Sequence, residues 1–385
     1  MFYNNQSDTE KTKYKQYLRI AGSLSSLFSD SSVPYLYYRA AENIFCEAFN
    51  ADNLSRSDVS ADAKKELIGI GLKTFLHGNG NTLQKVAEFN AINTTLKNKP
   101  EEEIISIVSE ARNARIQSTM ALYGLDSMLY HCVTRAENIN YIFESSMDIV
   151  NISSLSVEPI KQNIIKFTDG LHEYSFNISK STLYKRFSYS TPIDTISIEI
   201  LKNPYTVLSD CFNSNIITEP VAKTSISFKQ STHNEIIYLP LYAPSSPAME
   251  PALKSGLNQW NAGGRARHPD EVYIPVPSWI HHRFPEFFPK SNDISFDLML
   301  PNGQILSASM CQQGQKGLMS NPNKALGKWL LRDVFKLNEG ELLTRARLNI
   351  LNIDSAVVKK ISSYKYKIDF AAIGKYEAFK KKYNI

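Results

Sequence analysis

Apolar residues recur at helical spacing over residues 32–50 (SVPYLYYRAAENIFCEAFN), which predicts a helix there. The pattern changes at 66–76, where ELIGIGLKTFL has no helical period and reads as a buried strand. NTLQKVAEFNAINTTL (81–96) is expected to return to helix, starting near Asn81 or Thr82. From 101 to about 135, Ile104, Ile105, Val108, Ile116, Met120 and Leu125 form an apolar stripe, the mark of a helix packed on a core. Strands dominate after residue 149, where IIKFTDGLHEYSFNIS (164–179) looks like a hairpin turning at Thr168, Asp169 and Gly170. These strands are expected to complete the N-terminal sheet. A Pro/Ser-rich stretch, LPLYAPSSPAMEP (239–251), marks a natural boundary and divides the chain into 1–240 and 241–385. Beyond it, strand-like runs around EVYIPVP, ISFDLMLPNGQILSASMC and SYKYKIDF flank one helix, NPNKALGKWLLRDVF.

Composition adds little except through charge. The chain of 385 residues is 43% hydrophobic and 21% charged, as in ordinary globular domains. A polar N-terminus and the absence of a long apolar run predict a cytoplasmic location. Cys46, Cys132, Cys211 and Cys311 lie far apart, without metal-site spacing, and are expected to be buried thiols. The net charge of +5 is unevenly divided: residues 251–385 hold 20 Lys+Arg against 11 Asp+Glu, and residues 1–250 hold 23 against 27. A basic C-terminal part suits attraction to phosphates and counterion release.

The block KSGLNQWNAGGRARHPDEVYIPVP (254–277), with HHRFPEFFP, FDLMLPNG, MCQQGQKGLMSNPNKALGKWLLRDVF and YKYKIDF after it, resembles the C-terminal DNA-recognition domain of NgoFVII-type and BfiI-type restriction endonucleases. That domain is a pseudobarrel related to the plant B-three domain, and the resemblance covers roughly 250–375. It implies two arms entering the major groove of double-stranded DNA. On these arms Asn258, Gln259, Asn261, Arg265 and Arg267, and Gln312, Gln313, Gln315, Lys316, Ser320, Asn323 and Lys324, are the candidate readers. Arg and Lys suit guanine O6/N7, and Asn and Gln suit adenine N6/N7. Asn321 and Asn323 also fit a capping role at the following helix.

None of the seven histidines is followed two residues later by lysine, so the His-x-Lys element of a phospholipase-D-type nuclease is missing. Asp62, Lys73 in GIGLKTFL, and Glu88 in KVAEFN instead resemble the PD-(D/E)xK nuclease superfamily, with Glu42 and Asp58 nearby in sequence. The resemblance implies carboxylates converging on Mg²⁺ and a lysine beside the attacking water or the phosphoryl oxygens. Gly71 stands two before Lys73, where the pattern normally has an acidic residue. Glu88, with 14 residues between it and Lys73, fits a second carboxylate migrated to the following helix. Asp62 and Glu88 are therefore the expected metal ligands, Lys73 the expected water or charge-stabilising group, and Glu42 an outer-shell or second-metal group, with Asp58 a rival to Asp62.

Two weaker signals are Arg112 and Arg115, spaced to grip phosphate from one helical face, and Ser179, Lys180, Lys185 and Arg186, placed after a strand where they could touch the duplex. The expectation is an α/β nuclease-like N-terminal domain, a mixed sheet flanked by helices, joined to a C-terminal β-rich pseudobarrel. It describes a Mg²⁺-dependent type II restriction endonuclease acting as a homodimer, its host protected by a cognate DNA methyltransferase. The rival is a sequence-specific DNA-binding protein whose nuclease-like domain is inactive; an RNA-directed or single-strand nuclease ranks below it.

Overall fold

The computed structural model describes residues 1–54, 59–213, 235–258 and 268–385. Helix α1 (Asp8–Ser23) opens with a capping box, in which Ser7 Oγ accepts from the Glu10 N–H and Glu10 accepts from the Ser7 N–H. Helix α2 (Tyr38–Phe49) stops where Asn50 turns left-handed at φ 50°. Strands β1 (Asp52–Asn53), β2 (Ala63–Lys65) and β3 (Ile68–Leu76) follow, and β3 is the buried strand expected at 66–76.

Residues 81–88, expected as the start of a helix, are a strand, β4 (Asn81–Glu88). It pairs antiparallel along its length with Thr182–Ser188, so cross-strand bonds override an ambiguous local pattern. Only the short α3 (Asn93–Leu96) is α-helical in the rest of that segment. Helix α4 (Glu101–Tyr123) realises the apolar stripe; three glutamates in its first turn complement the positive end of the helix dipole, and Gly124, at φ 63°, ends it.

Strands β5 (Ser127–Ala136), β6 (Ile139–Ser146), β7 (Ser156–Val157), β8 (Ile164–Thr168), β9 (Glu173–Asn177), β10 (Thr182–Ser188) and β11 (Asp194–Ser197) come next, then helix α5 (Pro204–Asn213). Among the described residues one sheet runs β1-β2-β3-β5-β6-β11 and a second runs β4-β10-β9-β8-β7. Strands β7 to β10 thus build a separate sheet with β4, and of these later strands β11 extends the first. Helices α1 and α2 cover one face of the first sheet through Tyr14, Leu18, Phe45 and Phe49 against Ile70, Val133 and Ile142. Its other face meets the second sheet, not helices: Phe187 packs against Phe75 and Tyr130, and Tyr189 against Phe143 at 4.4 Å.

The remaining elements are β12 (Ile236–Pro240), β13 (Ile274–Pro275), α6 (Ser278–Arg283), β14 (Phe296–Met299), β15 (Ile305–Cys311), β16 (Gly317–Asn321), α7 (Lys324–Gly327), a π-helical stretch at Lys328–Val334, α8 (Arg345–Leu351), β17 (Ile353–Ser362), β18 (Lys365–Ala372) and α9 (Lys375–Lys382). The strands form a nearly closed, barrel-like sheet in the order β12-β17-β18-β14-β15-β16-β13, with only β14 and β18 parallel. The stretch at 239–251 is no free connector, because Leu239, Leu241 and Tyr242 are buried and the Leu241 N–H donates to Asp354 O.

The chain divides into two compact units, Met1–Glu88 with Leu125–Gln230, and Phe89–Gly124 with Ser231–Ile385. The second unit is discontinuous: α4 packs in it against α8 and the π-helical stretch. Arg112, 3% exposed, and Arg115 therefore face into this unit and not toward phosphate; Arg115 Nε donates to Ile350 O at 2.6 Å and its guanidinium stacks on Phe89.

Candidate nuclease centre and DNA-reading loops

In the first unit, Ala63 pairs with Ile70 across the β2–β3 hairpin, and both point into the core under α1 and α2. Strand alternation sends Gly71 and Lys73 to the opposite face, while Asp62 stands at the bend just before β2. Asp62 is held there by its own neighbours: its N–H donates to Ile70 O at 2.8 Å, and its Oδ2 accepts from the Leu72 N–H at 2.7 Å. Burial pushes the Asp62 carboxyl above its ordinary range, while Lys73, the Leu72 N–H and Arg39 pull it back. Asp62 and Lys73 are therefore electrostatic neighbours.

Glu42, 5% exposed on α2, binds Arg39 at 2.8 Å. The same arginine attracts Asp62, and Glu42 and Asp62 both help to raise the Cys46 thiol, which burial pushes to about 12. Glu42 thus belongs to the Asp62 neighbourhood. Glu88 does not arrive by the expected route: no helix carries it back, because it ends β4, opposite Thr182, and pairs with Lys85 at 2.7 Å. Among the described residues, no three His, Cys, Asp or Glu side chains gather to hold a metal. Asp58 lies outside the described residues.

Gly71 has a local cause. A Cβ there would come within 2.6 Å of Met147 Cε and 3.0 Å of Tyr130 Cδ1, so the space for an acidic side chain is already filled. Gly71→Asp is expected to destabilise the protein by about 1–3 kcal/mol through overpacking, read as a lower thermal midpoint. An unchanged midpoint would mean that Met147 simply swings away.

A second lysine near the Tyr130 ring, Lys185, was expected after a strand, where it could touch the duplex. Lys185, 1% exposed on β10, donates to Ser146 O at 3.1 Å and lies over the Tyr130 ring at 5.6 Å, the ring that Lys73 approaches at 5.9 Å. It is buried between the sheets and does not reach out from a loop. Arg186 is likewise committed, to Glu173 at 2.6 Å. The signal that could have shown the burial of Lys185 is its place in the alternating run Leu183, Lys185, Phe187, whose outer members are core residues.

In the second unit the β15–β16 hairpin carries the loop 312–316. Gln312, Gly314 and Gln315 adopt φ of 68°, 72° and 55°. The loop is pinned from below: Gln315 Nε2 donates to Pro289 O at 2.7 Å, its carbonyl meets His281 Nε2 at 2.9 Å, and Asn292 Nδ2 donates to Gln312 O at 3.0 Å. Gln312, Gln313 and Lys316 are left exposed on a fixed backbone, as is Lys324 further on.

Three candidate readers serve the fold instead. Asn258, 6% exposed, closes a loop by donating to Ala252 O and accepting from the Leu343 N–H at 2.9 Å. Ser320, fully buried, accepts from the Leu326 N–H at 2.8 Å and donates to Pro322 O, and so caps the helix that the two asparagines were expected to cap. Asn323 donates to Glu271 at 3.3 Å. Gln259, Asn261, Arg265 and Arg267 lie outside the described residues.

Residues 222–360 match the NgoFVII C-terminal B3-like DNA-binding domain family. The match spans the chain from before β12 into β17, the portion that forms most of the barrel-like sheet and carries the 312–316 loop. It points to DNA as the partner of the second unit and to a restriction-enzyme context. No curated protein matches the chain. Among the described residues, no helix is long and apolar enough to cross a membrane.

Proposed function

We propose that this chain is a type II restriction endonuclease, hydrolysing phosphodiester bonds of double-stranded DNA at or near a short sequence read by its second unit. The observation that carries the reading is the B3-like match over 222–360. It is supported by the attraction between Lys73 and the Asp62 carboxyl, with Glu42 in the same neighbourhood. Two carboxylates suit Mg²⁺, which keeps several of its waters and takes the rest of its ligands from the substrate phosphate. Asp62 and Glu42 are the residues that would hold it, and when bound it would polarise the phosphate and acidify a water. Lys73 places a fixed positive charge where the phosphorane oxygens gain charge. The Leu72 N–H fixes the orientation of the Asp62 carboxylate. Cutting both strands with one centre per chain favours a homodimer, and a cognate methyltransferase would protect the host.

Incubating the purified protein with unmethylated phage DNA tests the reading. Discrete fragments with Mg²⁺ and none with EDTA are expected. A second reading, a sequence-specific DNA-binding protein with an inactive nuclease-like unit, is favoured by the filled space at Gly71; specific binding without fragments in Mg²⁺ or Mn²⁺ would select it. For the loop, Lys316→Ala is expected to reduce the salt dependence of DNA binding by about one counterion. Gln313→Ala should cost about 1–3 kcal/mol at its preferred base pair. Mobility shifts at several salt concentrations would detect either change, and unchanged binding by both variants would remove this loop from the interface.

A further inference from the structure

A cavity of about 750 Å³ lies in the second unit, and Gln312 and Lys316 of the 312–316 loop are part of its lining. Tyr273, just before β13, and Trp279 on α6 give it aromatic walls. Lys254 lines it too, while no aspartate or glutamate among the described residues does. Lys380, a third lysine of the lining, is committed to Glu377 at 3.6 Å. Rings with a few cationic and amide groups among them suit a planar guest that carries negative charge.

The Tyr273 ring has a built seat. A Cβ at Gly256 would come within 2.2 Å of its Cζ, and one at Gly317 within 2.7 Å of its Cδ2, so the ring lies directly on both glycines. Elsewhere in the lining the polar atoms are committed: Trp279 Nε1 donates to Tyr376 OH at 3.0 Å, and Tyr242 OH donates to Glu377 at 2.9 Å. The side chains of Lys254, Tyr273, Gln312 and Lys316, by contrast, make no hydrogen bond or ion pair among the described residues. Reading a stacked base pair needs side chains that stand out from the surface, because such a pair offers only its edge. Exposed Gln313, beside Gln312 in the loop, serves that purpose. A cavity next to it does not, and the part of a duplex that can enter one is a base turned out of the stack.

We infer that this cavity receives one base extruded from the duplex, held against Tyr273 and Trp279, with Tyr273 OH and Gln312 at its polar edge and Lys254 and Lys316 on the flanking phosphates. The inference rests on DNA as the partner of the second unit and on nothing in the first, so specific binding without cleavage leaves it standing. A free deoxynucleotide shares the chemistry and would bind at the same place.

The test starts from a duplex that the full chain enriches from random sequence in EDTA. In that duplex each base in turn is kept while its partner is changed. Readout of stacked pairs alone predicts weaker binding at every contacted position. An extruded base predicts the reverse at one position, about tenfold tighter binding, because a mispaired base is easier to turn out. 2-Aminopurine placed at or next to that position should brighten when the protein is added. Ala252→Trp, at an exposed residue of the lining, should remove both effects and leave the salt dependence of binding unchanged. Lys254→Glu, equally exposed, should cut the tightening at least threefold and serves if the tryptophan variant does not fold. Weaker binding at every mispair, without brightening, would overturn the inference and leave edge reading alone. Brightening that survives in both variants would put the extruded base elsewhere and overturn it as well. Saturation-transfer NMR with dAMP covers the other source: binding that Ala252→Trp blocks, with no brightening in the duplex, would assign the cavity to free nucleotide. Failure to enrich any duplex would sink DNA recognition and this inference with it, whereas an enriched duplex that stays uncut in Mg²⁺ would sink only the nuclease.

Discussion

Lys73→Met is expected to lower strand cleavage by about 10²–10³-fold while sequence-specific binding and the thermal midpoint stay unchanged, because a preorganised cation beside a transferring phosphoryl group is worth roughly 3–4 kcal/mol. Three features set this expectation apart from that for an ordinary surface lysine. Lys73 attracts the Asp62 carboxyl, it lies over the Tyr130 ring, and its strand pairs along its whole length with β5 and at its start with β2. Lys73→Arg should recover only part of the rate, since a planar guanidinium does not place its charge where an ammonium does. Single-turnover cleavage with enzyme in excess would read the effect without product release. A Lys73→Met protein that cuts at the wild-type rate would move the catalytic centre elsewhere in the chain.

His131→Leu should cost about 3–5 kcal/mol of folding stability, measured by urea unfolding. His131 is fully buried in the middle of β5; Tyr14 OH meets its Nε2 at 3.0 Å and Glu144 Oε1 meets its Nδ1 at 3.1 Å. The same Glu144 oxygen accepts from the Tyr3 N–H, and Tyr3 OH donates to Asp194 at 2.7 Å. Leucine fills much the same volume, so the loss would come from the Tyr14 phenol left without its partner beside Phe45 and Phe49, and from the Glu144 carboxylate left buried without the imidazole. Tyr14→Phe removes one hydroxyl from the chain of bonds and should cost about 1 kcal/mol. Equal stability of the leucine variant and wild type would show that packing alone holds α1 to the sheet.

Where one residue's neighbours are local, the sequence was readable. The run at 66–76 is a strand because β-branched and aromatic residues flank its glycines, and Asp62 meets Lys73 because a short hairpin joins them. Residues 81–88 were not readable, since Leu83 and Val86 are spaced as well for a helix as for a half-exposed strand, and the deciding partner, β10, lies about a hundred residues later. Glu88 inherited that error. Asn258 and Ser320 were taken for base readers because polar residues among glycines look alike whether they face a groove or a neighbouring backbone. Only the hydrogen bonds to Leu343 and Leu326 separate the two cases. The apolar stripe of α4 announced a core helix but carried no address for the core it joins.

That address shapes the life history of the protein. Helix α4 leaves the ribosome before the whole of the first unit has been made, yet α8 and the π-helical stretch it packs against are built from residues after 231. Its apolar stripe must wait through the synthesis of more than a hundred residues, a window in which a chaperone has something to hold. The same loan constrains evolution. A new DNA specificity cannot be grafted by one crossover near residue 240, because the incoming barrel would meet a helix shaped for its predecessor, and a fragment starting there would expose the ground that α4 covers. Exchange of recognition in this lineage calls for two joins, or for change within the loops themselves.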